Sequence, residues 1–575
     1  MEHQPQTKQC QNCHKDFTIE PGDFVFYEKM KVPAPTWCPE CRLIRRLVIR
    51  NEHFLYRSRS GKTGKTIFSM YPSTSGVNVW AHDEWWQDNW DQNASGRDYN
   101  FSKSFFEQYA DLLRSAPVPN LSVTQPIDSD YSNNSSYIKN CYLSFGLTHS
   151  ENVMYSENSS KCTDCIDSSF LTECSLCYEC FFSQRCSRLQ YCSYCEDCYD
   201  MSFCYECLGC SNCVGCVGLK KKSFYILNQP YTKESYQEKI KELNLLSRKK
   251  SEEFLLEVKK LRLSIPVRYA RSYKNENCVG EYISNSKNVS QSYYINSGEN
   301  LKFCSFLYSP TSKDSYDHYR FGLNSELIYE SSSCGDYISR ILFSYACFNN
   351  CIEVQYSYMC NKVNHLFGCV GLNGKSYCIL NKQYTKEEYE VLVPKIIEHM
   401  NNIPYVDKKG RVYKYGEFFP AEISPLAYNE TIANEYFPLT KEEAVEKGFN
   451  WRESERSKYA PTLITEQIPD SIENIDGSIT KEIIICEHKG ECNDSCTGAF
   501  KITSAEFDFY KRRGIPLPTL CPTCRYMKRS AKRASMKLYH RHCMKPGCTN
   551  EFETSYAPDR PEIVYCERCY QQEVE

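Results

Sequence analysis

Residues 141–219 read CYLSFGLTHSENVMYSENSSKCTDCIDSSFLTECSLCYECFFSQRCSRLQYCSYCEDCYDMSFCYECLGCSNCVGCVGL, and fifteen of them are cysteines at a regular spacing. Comparing each position i with i+21 superimposes many of these cysteines: Cys141 on Cys162, Cys165 on Cys186 and then Cys207, Cys174 on Cys195 and then Cys216, Cys177 on Cys198, and Cys192 on Cys213. A short fixed period is typical of stacked repeats. At roughly 3.3 Å per residue, such a period suits one coil of a β-solenoid, and four coils would stack to roughly 19 Å.

A slower repeat indicates a second arm of the same kind. Comparing i with i+153 superimposes Cys198, Cys207 and Cys216 on Cys351, Cys360 and Cys369, and the segment VGLKKKSFYILNQPYTKE after Cys216 matches the one after Cys369. Each arm then ends in a helix, and Thr385 with Glu388 forms a capping box at the second one. We therefore predict a mainly β fold with two β-solenoid arms of about 21-residue coils, capping helices, and small zinc-ribbon or treble-clef modules at the flanks.

The cysteines of the arms are interpreted as packing residues. In the second arm, Leu327, Phe348 and Leu366 stand where the first arm has cysteine, and a position that accepts these side chains needs no metal ligand. Cysteine is small, often buried and weakly hydrophobic, so stacked thiols can fill a narrow interior. A thiolate metal or iron–sulfur site and disulfides remain open alternatives. Every cysteine from 141 to 216 also stands at a position divisible by three, which predicts short strands with frequent bends.

Cysteine pairs outside the arms have the spacing of structural zinc sites, in which four thiolates leave no position for water. The first ribbon carries Cys10, Cys13, Cys38 and Cys41. Its pattern returns when i is compared with i+483, so the second ribbon is assigned Cys492, Cys496, Cys521 and Cys524, with Cys486 or His488 as competitors for the place of Cys492. A third ribbon carries Cys543, Cys548, Cys566 and Cys569. Three zinc ions are expected.

The segment after the first ribbon matches the third ribbon without its ligands. Tyr56 aligns with Tyr539, which places Ser60, Ala81 and Glu84 opposite cysteines. We expect an empty ribbon at residues 54–98 that keeps the ribbon shape without metal. Its tryptophans are expected to replace the zinc with an apolar core: Trp80, Trp85, Trp86 and Trp90.

These motifs resemble a known family. The string CQNCHKDFTIEPGDFVFYEKMKVPAPTWCPECRLIRR, residues 10–46, resembles the "probable zinc-binding domain" of treble-clef or zinc-ribbon type found in many bacterial proteins. Most of the chain resembles a family of uncharacterised proteins frequent in candidate-phyla bacteria, with a ribbon pair, cysteine-rich repeats and further ribbons. The resemblance implies zinc and a repeat fold, and it implies no reaction.

Basic residues cluster beside the ribbons although the whole chain has a net charge of −3. Two equivalent sets follow the second cysteine pair of the first and second ribbons: Arg42, Arg45, Arg46 and Arg50, and Arg525, Lys528, Arg529 and Arg533. Several of them share one helical face at i, i+3 and i+4, which is compatible with nucleic-acid phosphates or with a solvated helix face. The sequence shows no base-reading motif.

Length and composition limit the remaining classes. A chain of 575 residues is too long for one core, so several domains are expected. We expect no signal peptide and no membrane span, since no apolar stretch of about 18 residues is present. Thirty-six cysteines without a secretory signal favour a reducing compartment, the cytoplasm.

The predicted units run in order along the chain. They are a zinc ribbon (1–53), a degenerate ribbon without metal (54–98), a capping helix and linker (99–130), a Cys-rich β-solenoid (131–235), a linker helix (236–274), a second β-solenoid with a terminal helix (275–400), an irregular insert (401–480) and two zinc ribbons (481–535 and 536–575). The helix at 100–130 is expected to cap the first solenoid, and the insert is expected to lie across the second arm.

Three functions are compatible with these features. The first is a zinc-binding, non-enzymatic adaptor that contacts RNA or DNA through the basic segments. The second is a scaffold for a protein partner, with purely structural zinc. The third is an enzyme acting in a solenoid groove, an analogy from fold alone, since no common catalytic motif is present.

Overall fold

The computed structural model describes residues 3–308, 311–453, 459–492 and 495–573. Strands and bridges take up more of the chain than helices do, which confirms a strand-rich fold. Within these residues the α-helices are α1 Pro21–Met30, α2 Pro39–Leu47, α3 His82–Trp85, α4 Phe105–Ser115, α5 Lys233–Leu243, α6 Arg248–Ser264, α7 Lys386–Asn402, α8 Ile432–Tyr436, α9 Lys441–Glu446, α10 Ser504–Arg513, α11 Pro522–Ser530 and α12 Glu567–Glu573. None of these helices is long and apolar enough to cross a lipid bilayer.

The cysteine-rich segment forms a parallel ladder, which we call the first ladder (residues 123–230). Its strands are Val123–Thr124, Ser135–Lys139, Thr148–Glu151, Ser169–Thr172, Phe181–Gln184, Ser187–Gln190, Tyr199–Ser202, Ser211–Val214, Ser223–Ile226 and Gln229–Pro230. Ile138 pairs with Ser150 and Ser187 with Tyr199, and isolated bridges continue the same register between the strands. Each parallel pair thus joins i to i+12, while the last strand, Gln229–Pro230, pairs antiparallel with Ser223–Ile226. The predicted coil length, in which i would stack on i+21, is wrong.

The backbone of the first ladder bends once in every three residues. A left-handed residue recurs at this interval, for example Tyr155 (φ 51°), Asn158 (φ 49°) and Lys161 (φ 54°). From Asn134 to Gly215, the residue after each bend is buried, as Cys162 is after Lys161. Four such triplets complete one repeat of the register, so a side chain at every third position faces the interior. This geometry explains why the cysteines occupy positions divisible by three.

Serine and cysteine have the same role inside the first ladder. The Sγ atom of Cys186 accepts the backbone N–H of Cys198 at 3.4 Å, and the Oγ atom of Ser168 accepts that of Cys180 at 3.2 Å. In both pairs the partners stand at i and i+12, on neighbouring turns. The side chain therefore satisfies a buried donor as well as filling space, which explains why small residues with a polar atom recur there.

A second ladder covers residues 272–383. Its strands are Ser272–Tyr273, Glu276–Ser284, Lys287–Asn296, Gly298–Lys302, Ser305–Leu307, Ser312–Phe321, Ser325–Cys334, Ile338–Leu342, Ile352–Gln355, Asn364–Phe367, Ser376–Ile379 and Lys382–Gln383. In the middle of this ladder the register is longer than in the first ladder, since Gly298 pairs with Ser312, at i+14. It returns to i+12 near the end, where Asn364 pairs with Ser376.

The two ladders lie side by side and interleave aromatic rings. The stacked pairs, with their centroid distances, are Tyr194–Tyr282 (5.9 Å), Phe182–Tyr282 (4.9 Å), Phe182–Tyr294 (5.1 Å), Phe170–Tyr294 (6.2 Å) and Phe170–Phe306 (5.9 Å). Residue numbers fall along one ladder as they rise along the other, so the ladders run in opposite directions. Part of the chain's high tyrosine content therefore joins the two ladders.

Short sheets connect the remaining segments. Four antiparallel hairpins are Gln6–Gln9 with Asp16–Ile19, Tyr56–Arg59 with Thr66–Ser69, Ile484–Ile485 with Ala499–Phe500, and Tyr539–His542 with Glu551–Thr554. In the described part of the chain, Tyr405–Val406 with Val412–Tyr413 is a further antiparallel pair, and Val79–Trp80 with Val118–Pro119 and Val267–Arg268 with Val564–Tyr565 are parallel pairs. The 3₁₀ helices are Ser73–Ser75, Gln92–Ser95, Ala421–Ile423, Tyr428–Glu430, Thr465–Gln467, Ile472–Asn474 and Gly477–Lys481.

The helices around the ladders agree with the sequence only in part. The sequence predicts that helix α4 caps the first ladder, but Phe105 packs on Tyr356 and Phe367 of the second ladder at 5.2 and 5.4 Å. That prediction is wrong, and the first ladder begins with the strand Val123–Thr124, which pairs with Ser135–Lys139. The linker is a broken helix, since α5 ends at the left-handed Asn244 before α6 begins.

The first part of the predicted insert lies on the second ladder, as predicted, whereas Ile468, Ile472, Ile475 and Ile479 in its last part pack with Tyr155 and Tyr178 of the first ladder. The backbone N–H of Gly416 donates to the Tyr356 hydroxyl at 2.9 Å, and Tyr415 donates to the side chain of Gln355 at 3.0 Å. Glu417 follows directly and reaches the first ribbon, where its carboxylate lies 2.7 Å from Arg45. The insert thus joins the second ladder to the first ribbon.

Candidate metal centres and the helices that carry them

The first ribbon brings its four predicted cysteines together. Cys10 lies at the turn of the first hairpin and Cys38 is the N-cap of α2, with Cys41 in the first turn of that helix. The Sγ atoms of Cys10, Cys13, Cys38 and Cys41 all lie within 4.8 Å of one another. Between the two cysteine pairs, α1 buries Phe26 and Tyr27 against the second ladder, where Phe26 stacks on Tyr316 at 3.9 Å and Tyr27 lies 5.5 Å from Tyr329.

The second ribbon uses one of the alternative ligands. Cys486, Cys496, Cys521 and Cys524 form the group with Sγ atoms within 4.8 Å. Cys492 is not in this group, so its assignment to the tetrad is corrected to Cys486. The backbone explains the change: the N–H of Glu487 donates to Thr519 as that of Gln11 does to Thr36, at 3.0 and 3.1 Å. Cys486 therefore stands where the first ribbon has Cys10.

The third ribbon contains its four predicted cysteines, Cys543, Cys548, Cys566 and Cys569, again within 4.8 Å of one another. The Sγ···Sγ distances within the three groups include 3.7 Å for Cys13–Cys38, 3.8 Å for Cys496–Cys521 and 3.9 Å for Cys548–Cys566. A tetrahedron with zinc–sulfur bonds of about 2.3 Å has edges of about 3.8 Å. The three groups are therefore compatible with zinc binding.

One thiol in each tetrad is the easiest to ionise. Hydrogen bonds from Cys38 and Cys41 hold the pKa of Cys10 well below its usual value, and those from Cys486, Cys496 and Cys524 do the same for the pKa of Cys521. Burial raises the pKa of Cys566, but hydrogen bonds from Asn550 and the neighbouring cysteines outweigh it and lower the pKa to about 6. Because all four ligands of a tetrad must be deprotonated, metal binding would release the protons of the remaining thiols.

In the empty ribbon, hydrogen bonds to a carboxylate take the place of the metal, and a cluster of tryptophans lies beside them. The Glu84 carboxylate accepts from the hydroxyl of Ser60 and from that of Thr63, and it also accepts the N–H of Ala81 at 3.2 Å. Ser60 closes its hairpin turn as Cys543 does, each N–H donating to a carbonyl at 2.9 Å. The predicted tryptophan core is found in part: the rings of Trp80 and Trp90 lie 4.8 Å apart and those of Trp85 and Trp90 6.4 Å apart, but Trp85 is the fully buried one and Trp86 is exposed. A carboxylate can bridge several donors in the space that four thiolates would otherwise surround.

The basic helix of the first ribbon is buried against the second ladder. Arg42 and Arg46 each lie 2.9 Å from the Asp317 carboxylate, and Arg45 lies 2.7 Å from Glu330. All three arginine side chains are at most 2% exposed. Arg50 is also buried and pairs with Glu52 at 2.8 Å. These four residues are therefore unavailable to phosphates, and their prediction as nucleic-acid contacts is wrong.

The second ribbon repeats this arrangement on the first ladder. Arg525 and Arg529 lie 2.6 and 2.8 Å from the Asp167 carboxylate. Arg533 pairs with Glu157 at 2.7 Å and with Glu435 at 2.5 Å, and all three arginines are buried. Their predicted role as nucleic-acid contacts is wrong for the same reason. Among the eight basic residues predicted, Lys528 is the exposed one.

Each ribbon thus crosses to the ladder that is farther from it in the sequence. The acidic partners lie one turn apart on each ladder, Asp317 with Glu330 and Asp167 with Glu179. All four of these acids occupy left-handed bend positions, which hold the outward side chains. The sequence-based prediction missed them, although an acidic pair separated by one register was a signal available in the sequence.

The cysteines of the ladders are separate from these centres. Among the described residues, the groups of side chains that could hold a metal ion contain none of the fifteen cysteines between 141 and 216, and all fifteen are buried. No disulfide joins the cysteines that the structure describes. Burial raises the pKa of Cys351 and of Cys304 to about 12, so both remain protonated thiols at neutral pH.

Comparisons with known proteins give no family for this chain. No family model matches it, and no curated protein matches it. One solved structure, described as a "putative acetyltransferase from Desulfovibrio desulfuricans G20", is 8% identical and covers 51% of this chain and 86% of its own, with a TM-score of 0.10. That likeness is too weak to support an argument about fold or activity.

Proposed function

We propose that this protein is a non-enzymatic scaffold for a protein partner whose rigidity depends on structural zinc. The observation that carries the proposal is the buried contact between each ribbon and its distant ladder, represented by Arg46 and Asp317 at 2.9 Å. Four thiolates around zinc leave no open position for a substrate or water, which favours a structural metal. Because α2 begins at a tetrad cysteine, a bound metal would fix the helix that carries Arg42, Arg45 and Arg46.

We further infer that both ladders are β-solenoids, with four sides of three residues in each complete turn of the first ladder and longer turns in the middle of the second. The pairing of i with i+12 and the bend in every triplet support this geometry. Stacked turns contact only their neighbours, so such a repeat depends on protection of its ends and flanks. Here the ribbons, α4 and the insert cover the flanks. The free thiols within the ladders also favour a reducing compartment such as the cytoplasm.

Metal removal tests the structural role of the tetrads. We expect chelation at neutral pH to lower the melting temperature and to speed amide hydrogen exchange in both ladders, because the ribbon helices would lose their anchors. Cys38→Ser should lower the zinc content by one ion and reproduce part of this effect. Cys278→Ser is the matched control, since Cys278 is half-buried and belongs to none of the metal-compatible groups of the described residues. An unchanged melting temperature after complete zinc removal would contradict the proposal.

A nucleic-acid role has a separate candidate surface. Arg57 and Arg59 are exposed on the strand Tyr56–Arg59 and line an open cavity of ≈510 Å³ together with Ser58 and Thr66. Two guanidinium groups beside hydroxyl groups can bind phosphate oxygens. This cavity is therefore a better position for phosphate contact than the buried helix faces.

Salt-dependent binding distinguishes the two functions. For a nucleic-acid adaptor, RNA or DNA affinity should fall with rising salt, and Arg57→Ala with Arg59→Ala should flatten that dependence. Lys528→Ala is the comparison, because Lys528 is exposed on α11 and outside the cavity. If neither RNA nor DNA binds, recovery of one defined protein partner from nuclease-treated lysate would favour the scaffold.

A further inference from the structure

The second ribbon contains an insertion that the first ribbon lacks. Nine residues separate Cys486 from Cys496, whereas two separate Cys10 from Cys13. The surrounding backbone is unchanged, since Cys486 N–H donates to Gly498 as Cys10 N–H does to Lys15, both at 2.9 Å. The insertion is therefore confined to the loop between the two tetrad cysteines.

This loop adds two potential metal ligands to the ribbon. Ligand atoms of His488, Cys492 and Cys524 lie within 4.8 Å of one another. The Sγ atoms of Cys492 and Cys524 are 3.7 Å apart, the edge expected of a zinc tetrahedron. In addition, the Nδ1 atom of His488 is buried and has no hydrogen-bond partner among the described residues. A buried imidazole nitrogen without a partner is unfavourable, and a bound cation would satisfy it.

Cys524 belongs to both groups. Its Sγ atom lies 3.9 Å from Cys486, a tetrad member, and 3.7 Å from Cys492, which is outside the tetrad. A thiolate sulfur has enough lone pairs to bind two metal ions. The two groups can therefore share this one sulfur without sharing any other ligand.

We propose that the second ribbon holds two zinc ions: one in the tetrad of Cys486, Cys496, Cys521 and Cys524, and another on His488, Cys492 and the shared Cys524. The additional ion has three protein ligands, so water completes its tetrahedron. Three protein ligands and an open position are typical of accessible zinc, whereas four thiolates are typical of structural zinc. The additional ion should therefore exchange more readily than the ions in the three tetrads.

The inference rests on the proposed function, which implies three zinc ions in the tetrads, and it adds a fourth ion. The full chain, saturated with zinc and then desalted, should contain four zinc ions by elemental analysis. A chromophoric chelator should remove one of them faster than the other three. His488→Ala with Cys492→Ser should retain three ions and lose the fast phase, and each single variant should weaken that phase. Cys278→Ser removes a thiol elsewhere and should keep all four.

The possible outcomes are separable. A wild-type chain with three ions, and a double variant with the same three, would overturn the additional site while leaving the tetrads intact. Fewer than three ions in the wild type would contradict the proposed function itself. Circular dichroism and the melting temperature of the double variant show whether lost zinc reflects lost folding, and the single variants provide the independent count.

Discussion

The guanidinium group of Arg46 lies 2.9 Å from the carboxylate of Asp317, and both side chains are fully buried. Arg529 and Asp167 form the equivalent pair in the other half of the molecule, at 2.8 Å. Each pair joins a ribbon to a ladder that lies hundreds of positions away in the sequence. The halves of the chain are therefore held together by crossed contacts.

Removal of one partner from this buried pair should destabilise the protein strongly. We expect Arg46→Ala to lower the free energy of unfolding by about 3–5 kcal/mol, because Asp317 would remain buried without one of its cations. Urea denaturation checks this value. The exposed pair Lys29–Asp314, 3.1 Å apart, is the control, and Lys29→Ala should cost about 1 kcal/mol or less. Equal effects of the two variants would contradict the role assigned to the buried pair.

Inside the first ladder, an oxygen should replace a sulfur at little cost. The Sγ atom of Cys192 accepts the N–H of Cys204 at 3.4 Å, so Cys192→Ser keeps an acceptor while Cys192→Ala leaves the donor unsatisfied. We expect the alanine variant to be less stable than the serine variant by about 1–3 kcal/mol. Thermal unfolding of both variants provides the measurement. An alanine variant as stable as the serine one would show that the sulfur only fills space.

The aromatic contact between the ladders should be a major source of stability. The Phe182 ring stacks between Tyr282 and Tyr294, at 4.9 and 5.1 Å, so Phe182→Ala should cost about 3–5 kcal/mol. Tyr137 is the control, since it is 47% exposed and stacks on His149 within one ladder. Tyr137→Ala should cost much less by the same denaturation measurement, and a similar loss would contradict the interface.

His318 makes part of the stability depend on pH. Burial lowers its pKa from 6.5 to about 4, so the folded protein binds fewer protons than the unfolded chain between these values. The contribution is complete above pH 6.5 and is lost as the pH falls towards 4, up to about 3 kcal/mol at about 1.4 kcal/mol per pKa unit.

The glutamine variant isolates this effect from metal loss in acid. His318→Gln can still donate to the Cys334 carbonyl, which lies 3.1 Å from the histidine Nε2. We expect the stability of the wild type to fall more than that of the variant between pH 7 and pH 4.5. Acid release of zinc affects both proteins alike. Parallel curves for the two proteins would show that His318 does not titrate in this range.

The tetrads are largely predictable from the sequence because thiolate ligands need a fixed local spacing. The choice of Cys486 over Cys492 follows from the positions of the Sγ atoms and from the hydrogen bond of the Glu487 N–H to Thr519, which identifies the equivalent backbone position. The contacts of the basic residues cannot be predicted locally, because a helix face with arginines at i, i+3 and i+4 looks the same whether it meets phosphate or carboxylate. The carboxylates of Asp317 and Asp167 are the actual partners of these arginines, and both lie far away in the sequence.

The predicted period of 21 residues is wrong for the first ladder, although the cysteines predicted to face its interior are buried there. Any multiple of three superimposes many of the cysteines, since each side of the coil has three residues. Comparing i with i+12 superimposes Cys162, Cys174, Cys186, Cys198 and Cys210 in one column, more consistently than comparing i with i+21 does. The choice between seven triplets and four depends on how sharply each left-handed residue turns the chain, a property of the backbone and not of the side-chain pattern.

The most direct test is the number of zinc ions bound by the full-length chain after saturation and desalting. We predict three ions in the tetrads and one more on His488, Cys492 and Cys524, with the sulfurs of the ladders left as thiols. A content well above four ions per chain would contradict this prediction, because the additional metal would have to bind the ladder cysteines.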